Sequence, residues 1–92
     1  MENNKLPYRQ VKLGKVIFRL FYKTENINLY YKWHTDDENR VVWCIPIGKW
    51  EFQFDNELPF TINFLTKISV TKHKHHRLIN NGKYLFCIIL EN

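Results

Sequence analysis

The run Trp50-Glu51-Phe52-Gln53-Phe54-Asp55 alternates apolar and polar side chains without a break. Successive side chains of an extended chain point to opposite sides, so this run sets three aromatic rings on one face and three polar groups on the other, the pattern of a half-buried strand. The same period continues upstream in Val16, Phe18, Leu20 and Tyr22, in Ile27, Leu29, Tyr31 and Trp33, and in Val41, Trp43, Ile45 and Ile47. Downstream it returns in Phe60, Ile62, Phe64, Thr66, Ile68 and Val70, and in Tyr84, Phe86, Ile88 and Leu90. The pattern predicts about six strands.

Composition agrees. The 92 residues include no alanine, the best helix former, and aromatic residues make up 16%. The expected fold is all-β and largely antiparallel, one domain over residues 1–92. It is a small barrel or a strongly curved sheet, since curling hides the edges that amphipathic strands expose. A short helix over residues 15–24 is the local alternative and would make the fold α+β. Residues 1–10 read as a loose N-terminal arm that Pro7 and Tyr8 could anchor.

Turn chemistry suggests three hairpins. A loop at 35–39 pairs Trp33 with Val41 and Tyr31 with Trp43, all on one face. A loop at 55–59 pairs Phe54 with Phe60, Phe52 with Ile62 and Trp50 with Phe64. Asn81-Gly82 is the strongest two-residue turn signal in the chain, because both positions tolerate positive φ. Extending that ladder sets the histidines of Lys72-His73-Lys74-His75-His76-Arg77 against Ile88 and Leu90, so residues 72–77 are expected to be an exposed loop or a twisted edge.

Charge is segregated. Lys5, Arg9, Lys12, Lys15, Arg19 and Lys23 face only Glu2 in the first 23 residues, and Lys67, Lys72, Lys74, Arg77 and Lys83 face only Glu91 after residue 60. The middle is acidic, and the whole chain carries +5. If the basic ends meet, they form the electrostatic footprint of a surface for phosphate or an acidic protein. Lys15, Arg19, Phe21 and Lys23 would then alternate cation and ring along the outward face of a strand, with Val16, Phe18, Leu20 and Tyr22 inward. The competing reading covers Ile17 and Phe21 with another layer. Lys72, His73, Lys74, His75, His76 and Arg77 would form a second contact loop.

The function this suggests is non-enzymatic: a small basic protein that contacts RNA or an RNA-handling protein complex and occupies its surface, as a phage-type inhibitor of a host defence nuclease would. The alternative is a toxin-like, metal-independent endoribonuclease using His73, His75 and His76 as acid and base. No cofactor, small-molecule substrate or membrane partner is expected, and the absence of a signal-peptide pattern or an apolar span of membrane length points to the cytoplasm.

Metal ligation needs a third and usually a fourth ligand and surroundings that do not repel a cation. His73 and His75 have same-side spacing on a strand, yet cations surround them. His34 opposite Arg40 would lie ~13 Å from Cys44 at ~3.3 Å per residue, too far to share an ion. Cys87 would approach His76 only if the last ladder extended. Asp36-Asp37-Glu38 reads as a solvated turn. Cys44 and Cys87, each among apolar neighbours, read as buried inert thiols. No glycine-rich phosphate loop, serine nucleophile elbow or Cys-x-x-Cys pair occurs.

Overall fold

Val41 to Ile47 and Tyr84 to Leu90 are seven-residue runs without a charged side chain, and such runs suit strands covered on both faces. The computed structural model, which describes residues 8–23 and 33–92, places them side by side. The strands are β1 (Tyr8–Leu13), β2 (Val16–Tyr22), β3 (Arg40–Phe54), β4 (Phe60–Thr61), β5 (Thr66–Val70) and β6 (His76–Glu91). Every pairing is antiparallel. The order is β1-β2-β6-β3-β4, with β5 also on β3. Among the described residues the sheet is strongly curved and does not close. No helix occurs among the described residues, so none is long and apolar enough to cross a membrane.

The β3–β6 ladder is the spine, running from Arg40 opposite Glu91 to Phe54 opposite His76. Its register shifts between Ile47 and Gly48, because Ile47 pairs with Tyr84 while Gly48 pairs with Gly82 and Lys83 is skipped. An extra residue in one strand bends the ladder and turns that strand over. Before the bulge β6 buries His76 and Leu78; after it, Leu85, Cys87 and Ile89. Two glycines make the approach possible. Gly48 adopts φ +94, and a Cβ there would lie 2.8 Å from the Gly82 Cα. A Cβ on Gly82 would collide with the indole of Trp50, which is fully buried.

Cross-strand register sorts the side chains into rows. On the inner face Ile17, Ile89, Val42 and Ile68 form one row, and Arg19, Cys87, Cys44 and Thr66 the next. The outer face repeats the apolar theme. Val11, Phe18, Ile88 and Trp43 lie in one row, Leu13, Val16, Leu90 and Val41 in a second, and Leu20, Phe86 and Ile45 in a third. The inner residues are buried except Val42 and Thr66, which are half-buried, whereas the outer ones are half-buried or exposed.

The all-β, antiparallel, strongly curved architecture is as the alternation predicts, and residues 16–22 are strand rather than helix. Local assignments differ. Of the expected arm, residues 1–7 lie outside the described residues, while Tyr8 to Gln10 belong to β1 and Tyr8 is buried, as an anchor would be. Its strand is joined to β2 by a two-residue turn at Gly14-Lys15, whose φ of +61 at Gly14 supplies the twist that a tight hairpin needs. In β2 the buried row is Ile17, Arg19 and Phe21. The outward row of Lys15, Arg19, Phe21 and Lys23 is therefore not formed, and the competing reading holds for Ile17 and Phe21, which are covered, with Arg19 buried between them.

The hairpin expected between residues 27–33 and 41–47 falls partly on residues 24–32, outside the described residues. At positions 40–44 both edges of β3 are already taken, by β5 and β6, so Val41 pairs with Ser69 and Leu90 instead of Trp33. The hairpin at 55–59 does form, but two residues out of the expected register, with Phe52 opposite Phe60. Asn81-Gly82 is no turn at all: it lies within β6, held flat by the close contact with Gly48 and Trp50. The exposed loop is limited to Lys72 through His75, because His76 and Arg77 begin β6.

Gly82 and Gly14 should separate in mutagenesis. Gly82→Ala forces overpacking against Trp50 and should cost about 3 kcal/mol or more, the upper end of such effects. Gly14→Ala meets nothing within 4 Å and should cost only the left-handed backbone penalty, about 1–2 kcal/mol. Urea unfolding of both variants measures the difference; equal costs would mean that Trp50 does not sit over Gly82.

Candidate functional site

Residues 33–40 carry the chain from one end of the spine to the other. His34 forms an isolated backbone bridge with His76, the two amides donating to the opposite carbonyls at 3.0 Å each. Asp36 accepts from the amide of His73 through its backbone carbonyl at 2.8 Å, and the Asn39 side chain accepts from the amide of Lys72 at 2.8 Å. The Lys72–His75 loop, with His73 at φ 66, therefore acts through its backbone, fixing Asp36 beside the start of β6.

This gathers His34, Asp36 and His76, whose ligating atoms all lie within 4.8 Å of one another. The two imidazoles meet edge to face with centroids 4.5 Å apart. His76 is 4% exposed and stacks on Phe52 at 5.4 Å. Its Nδ1 lies 2.8 Å from the carbonyl of Lys74, which can only accept, so Nδ1 carries the donated proton. Nε2 then faces the carboxylate of Asp36 at 3.2 Å.

The cluster continues as an ionic chain. Arg40 Nη1 lies 3.5 Å from Asp36, while Nε and Nη2 of the same guanidinium donate to Glu91 Oε2 at 3.0 and 2.6 Å. Lys12 lies 3.2 Å from the other Glu91 oxygen. Burial opposes ionisation of Asp36, but the hydrogen bond from His76 and the charges of Arg40, His76 and His34 outweigh it and hold the carboxyl below its ordinary value. At Glu91 burial is likewise outweighed, chiefly by the hydrogen bonds from Arg40 and Lys12.

A cavity of about 60 Å³ opens beside the cluster. Apolar side chains from β2, β3, β5 and β6 form most of its wall, with Arg19, Cys44, Cys87, Arg40 and the cluster as polar members. Arg19 is 4% exposed. Its Nε donates to Gln10 at 2.9 Å and its guanidinium lies 4.0 Å over the Tyr8 ring. Cys44 and Cys87 are free, buried and directly opposite one another. The hydrogen bond between them, with burial, pushes the Cys87 thiol well above its ordinary value.

Two imidazoles and one carboxylate form the donor set of a two-histidine, one-carboxylate metal site. The Lys74 carbonyl at His76 Nδ1 also fits, because ligating histidines usually donate their other ring N–H to a backbone carbonyl or a carboxylate. Arg40 is the opposing feature. Its shorter contacts are with Glu91, however, at 2.6 and 3.0 Å against 3.5 Å to Asp36, so Asp36 remains the anion of the cluster. The residues present fit a divalent metal.

The residues singled out in the sequence do not assemble into a surface. Lys15 and Lys23 are exposed, whereas Arg19 and Phe21 point into the cavity wall. Lys72, His73, Lys74 and His75 are exposed, and Lys74 and His73 have local partners. Lys74 lies 3.5 Å from Glu57 and 4.5 Å over the Phe54 ring, and His73 lies 3.8 Å from Asp37. Arg77 is half-buried, donating to Gln53 at 2.8 Å. His76 faces the opposite way from His75, into the cluster, so the three histidines share no site. The sequence reading missed Asp36, taken for a solvated turn: only Asp37 and Glu38 are so exposed. The His34-x-Asp36 spacing was the available signal, since alternate residues of an extended segment share a side.

No family model matches this chain, and no curated protein matches it by sequence. Solved structures do share its fold. A cupin-2 domain containing protein from Shewanella frigidimarina superposes with a TM-score of 0.67 at 16% identity, covering 99% of this chain and 85% of that one. A cupin superfamily protein from Desulfitobacterium hafniense gives 0.65 at 14% identity, covering 99% and 83%. A DMSP lyase from Ruegeria pomeroyi gives 0.64 at 12% identity, covering 87% of this chain and 40% of that longer one. The fold is therefore cupin-like, a small β-barrel of jelly-roll type left open, and proteins with this fold include enzymes. This overturns the expectation of an RNA-contacting inhibitor and that of a toxin-like ribonuclease: the structural neighbours are cupin-fold proteins, none of them described as RNA-binding or inhibitory. The physical reason is that Arg19, Phe21 and His76 serve an interior.

The depressed carboxyls set an acid limit. Because Asp36 and Glu91 titrate below their unfolded values, which lie near 4, the stability they contribute is fully present above about pH 5 and is lost as pH falls through the folded-state values. Urea midpoints measured from about pH 7 down to pH 2 should be flat and then fall, and Asp36→Asn should make the fall shallower. An unchanged acid limb in the variant would remove Asp36 from this role.

Proposed function

We propose that this chain binds a divalent first-row metal, iron(II) or zinc, through His34, Asp36 and His76 at the mouth of its cavity, and uses it on a small, largely apolar ligand bound within. The observation that carries the reading is His76, whose Nδ1 is committed to the Lys74 carbonyl so that Nε2 turns toward Asp36 and His34. A bound metal would supply Lewis acidity to an oxygen of that ligand.

The protein's own residues do the rest. Lys74 O fixes the His76 tautomer. Arg40, anchored on Glu91, orients Asp36 without neutralising it fully, and the Phe52 ring stacked on His76 limits rotation of the imidazole. The apolar wall excludes water from the ligand's body, while Arg19 places a positive field across the inner face. That cupin-fold structures include a lyase makes an enzymatic use of the site the favoured one, and the reaction follows from whichever ligand is found.

Titration calorimetry of metal-free protein with zinc, and with iron(II) under anaerobic conditions, should give one site per chain and a raised unfolding temperature. Protons compete for imidazole and carboxylate, so affinity should fall as pH is lowered. His76→Ala should weaken binding by more than the ~10- to 100-fold that loss of an outer partner costs, and Asp36→Asn should do the same. Absence of binding by either ion, or binding that survives both substitutions, overturns the proposal.

A further inference from the structure

We propose that Cys44 and Cys87 form a second metal site, for the soft monovalent ion copper(I), held between two thiolates with Arg19 as its counter-charge. The two thiols are free and stand opposite each other on the inner side of the β3–β6 spine. Backbone direction brings them closer than the alternate pairs of that ladder. The Cys44 carbonyl accepts from the Leu65 amide at 2.7 Å on the β5 side, and Glu91, of the same parity as Cys87, donates its amide to the Lys15 carbonyl at 2.9 Å on the β2 side. Both cysteines thus turn their backbone groups away from the ladder they share. They form a non-hydrogen-bonded pair, whose Cα atoms stand about 4.5 Å apart and whose side chains approach closely. The sulfurs meet at hydrogen-bonding distance.

Coordination number selects the ion. Thiolates favour copper(I), zinc and iron–sulfur clusters, but a structural zinc needs four ligands. Among the described residues no third histidine, cysteine or carboxylate joins the pair, since the one such group of three is His34, Asp36 and His76. The row continues instead with Arg19 on one side and Thr66 on the other. A closed-shell monovalent ion is satisfied by two sulfurs in line.

Charge agrees with that choice. Uptake forms two Cu–S bonds, breaks two S–H bonds and releases both protons to solvent, with no change of oxidation state. The complex carries one negative charge, which is costly beside Leu85 and Ile89 unless a cation stands next to it. Arg19 is 4% exposed and lies opposite Cys87 in the β2–β6 register. In the metal-free chain the hydrogen bond with Cys44 and burial keep the Cys87 proton in place against the pull of Arg19, so that thiol stays neutral until a metal displaces the proton. The cavity that both cysteines line is the way in. Its other charged or titratable members are Arg40, His34, Asp36 and His76.

Anaerobic titration of the reduced full chain with copper(I) supplied on a bicinchoninate chelator tests this. One copper per chain should transfer, with a new ultraviolet thiolate-to-copper absorption. Because two protons leave, affinity should fall about a hundredfold for each pH unit below the titration of the thiols. His76→Ala should leave uptake unchanged, since the divalent site is separate. Cys44→Ala and Cys87→Ala should each weaken it by about a hundredfold or more with an unchanged circular dichroism spectrum, and Arg19→Gln should weaken it where Arg19→Lys does not. Copper X-ray absorption on the loaded, unsubstituted chain requires no variant to fold, and should show two sulfur neighbours. Copper left on the chelator, uptake that survives loss of either thiol, uptake abolished by His76→Ala, or nitrogen in place of sulfur around the copper would each overturn the inference. An Arg19→Gln chain that binds as tightly as the unsubstituted one would remove Arg19 from the site.

Discussion

The contact between Gly48 and Gly82 beneath Trp50 sets the geometry on which everything else rests. Two backbones cannot approach this closely if either carries a Cβ, and the indole covers the place where one would stand. With both side chains absent, the β3–β6 ladder can skip Lys83, bend and turn β6 over. The bend converts a long two-stranded ribbon into a curled sheet with an interior. Its consequence is parity: His76 and Leu78 point inward before the bulge, and Leu85, Cys87 and Ile89 after it. Without that change of face, the start of β6 could not present an imidazole to the same cavity that its end lines with leucine, thiol and isoleucine.

The polar chain His76–Asp36–Arg40–Glu91–Lys12 answers the problem that the bend creates. Buried ions are costly unless each has a partner, and here each member is satisfied by its neighbour. The chain also has a geometric effect. His76 is the first residue of β6 and Glu91 the last, so Asp36 and Arg40 tie together the two ends of one 16-residue strand. Closure of the sheet by hydrogen bonds is thereby replaced, along this rim, by closure through ion pairs. The same carboxylate that completes the chain is the anion of the candidate metal centre, which couples acid stability to the site.

Apolar material on both faces of β2, β3 and β6 has two different uses. Inside, it walls the cavity and keeps the polar row of Arg19, Cys87 and Cys44 away from water. Arg19 tolerates this because β1 delivers Gln10 to its Nε and Tyr8 under its plane, both fixed by the register of a tight hairpin. Outside, it forms rows of half-buried and exposed side chains.

Alternation and the absence of alanine were enough to determine the all-β class, most strand positions and the burial of both cysteines, because these depend on local period and on the character of immediate neighbours. They were silent where both parities of a strand are apolar. Val16 to Tyr22 offers two plausible inner rows, and only the packed sheet, with Gln10 and Tyr8 waiting for a guanidinium, decides for Ile17, Arg19 and Phe21. Asn81-Gly82 carries true turn chemistry, yet at this position glycine is required by the bulk of Trp50, a residue more than thirty positions away. The histidine loop drew attention for its charge, and its importance is in its backbone. His34, Asp36 and His76 become neighbours only when the ladder curls, since their proximity depends on the curvature of the whole sheet and not on any spacing along the chain.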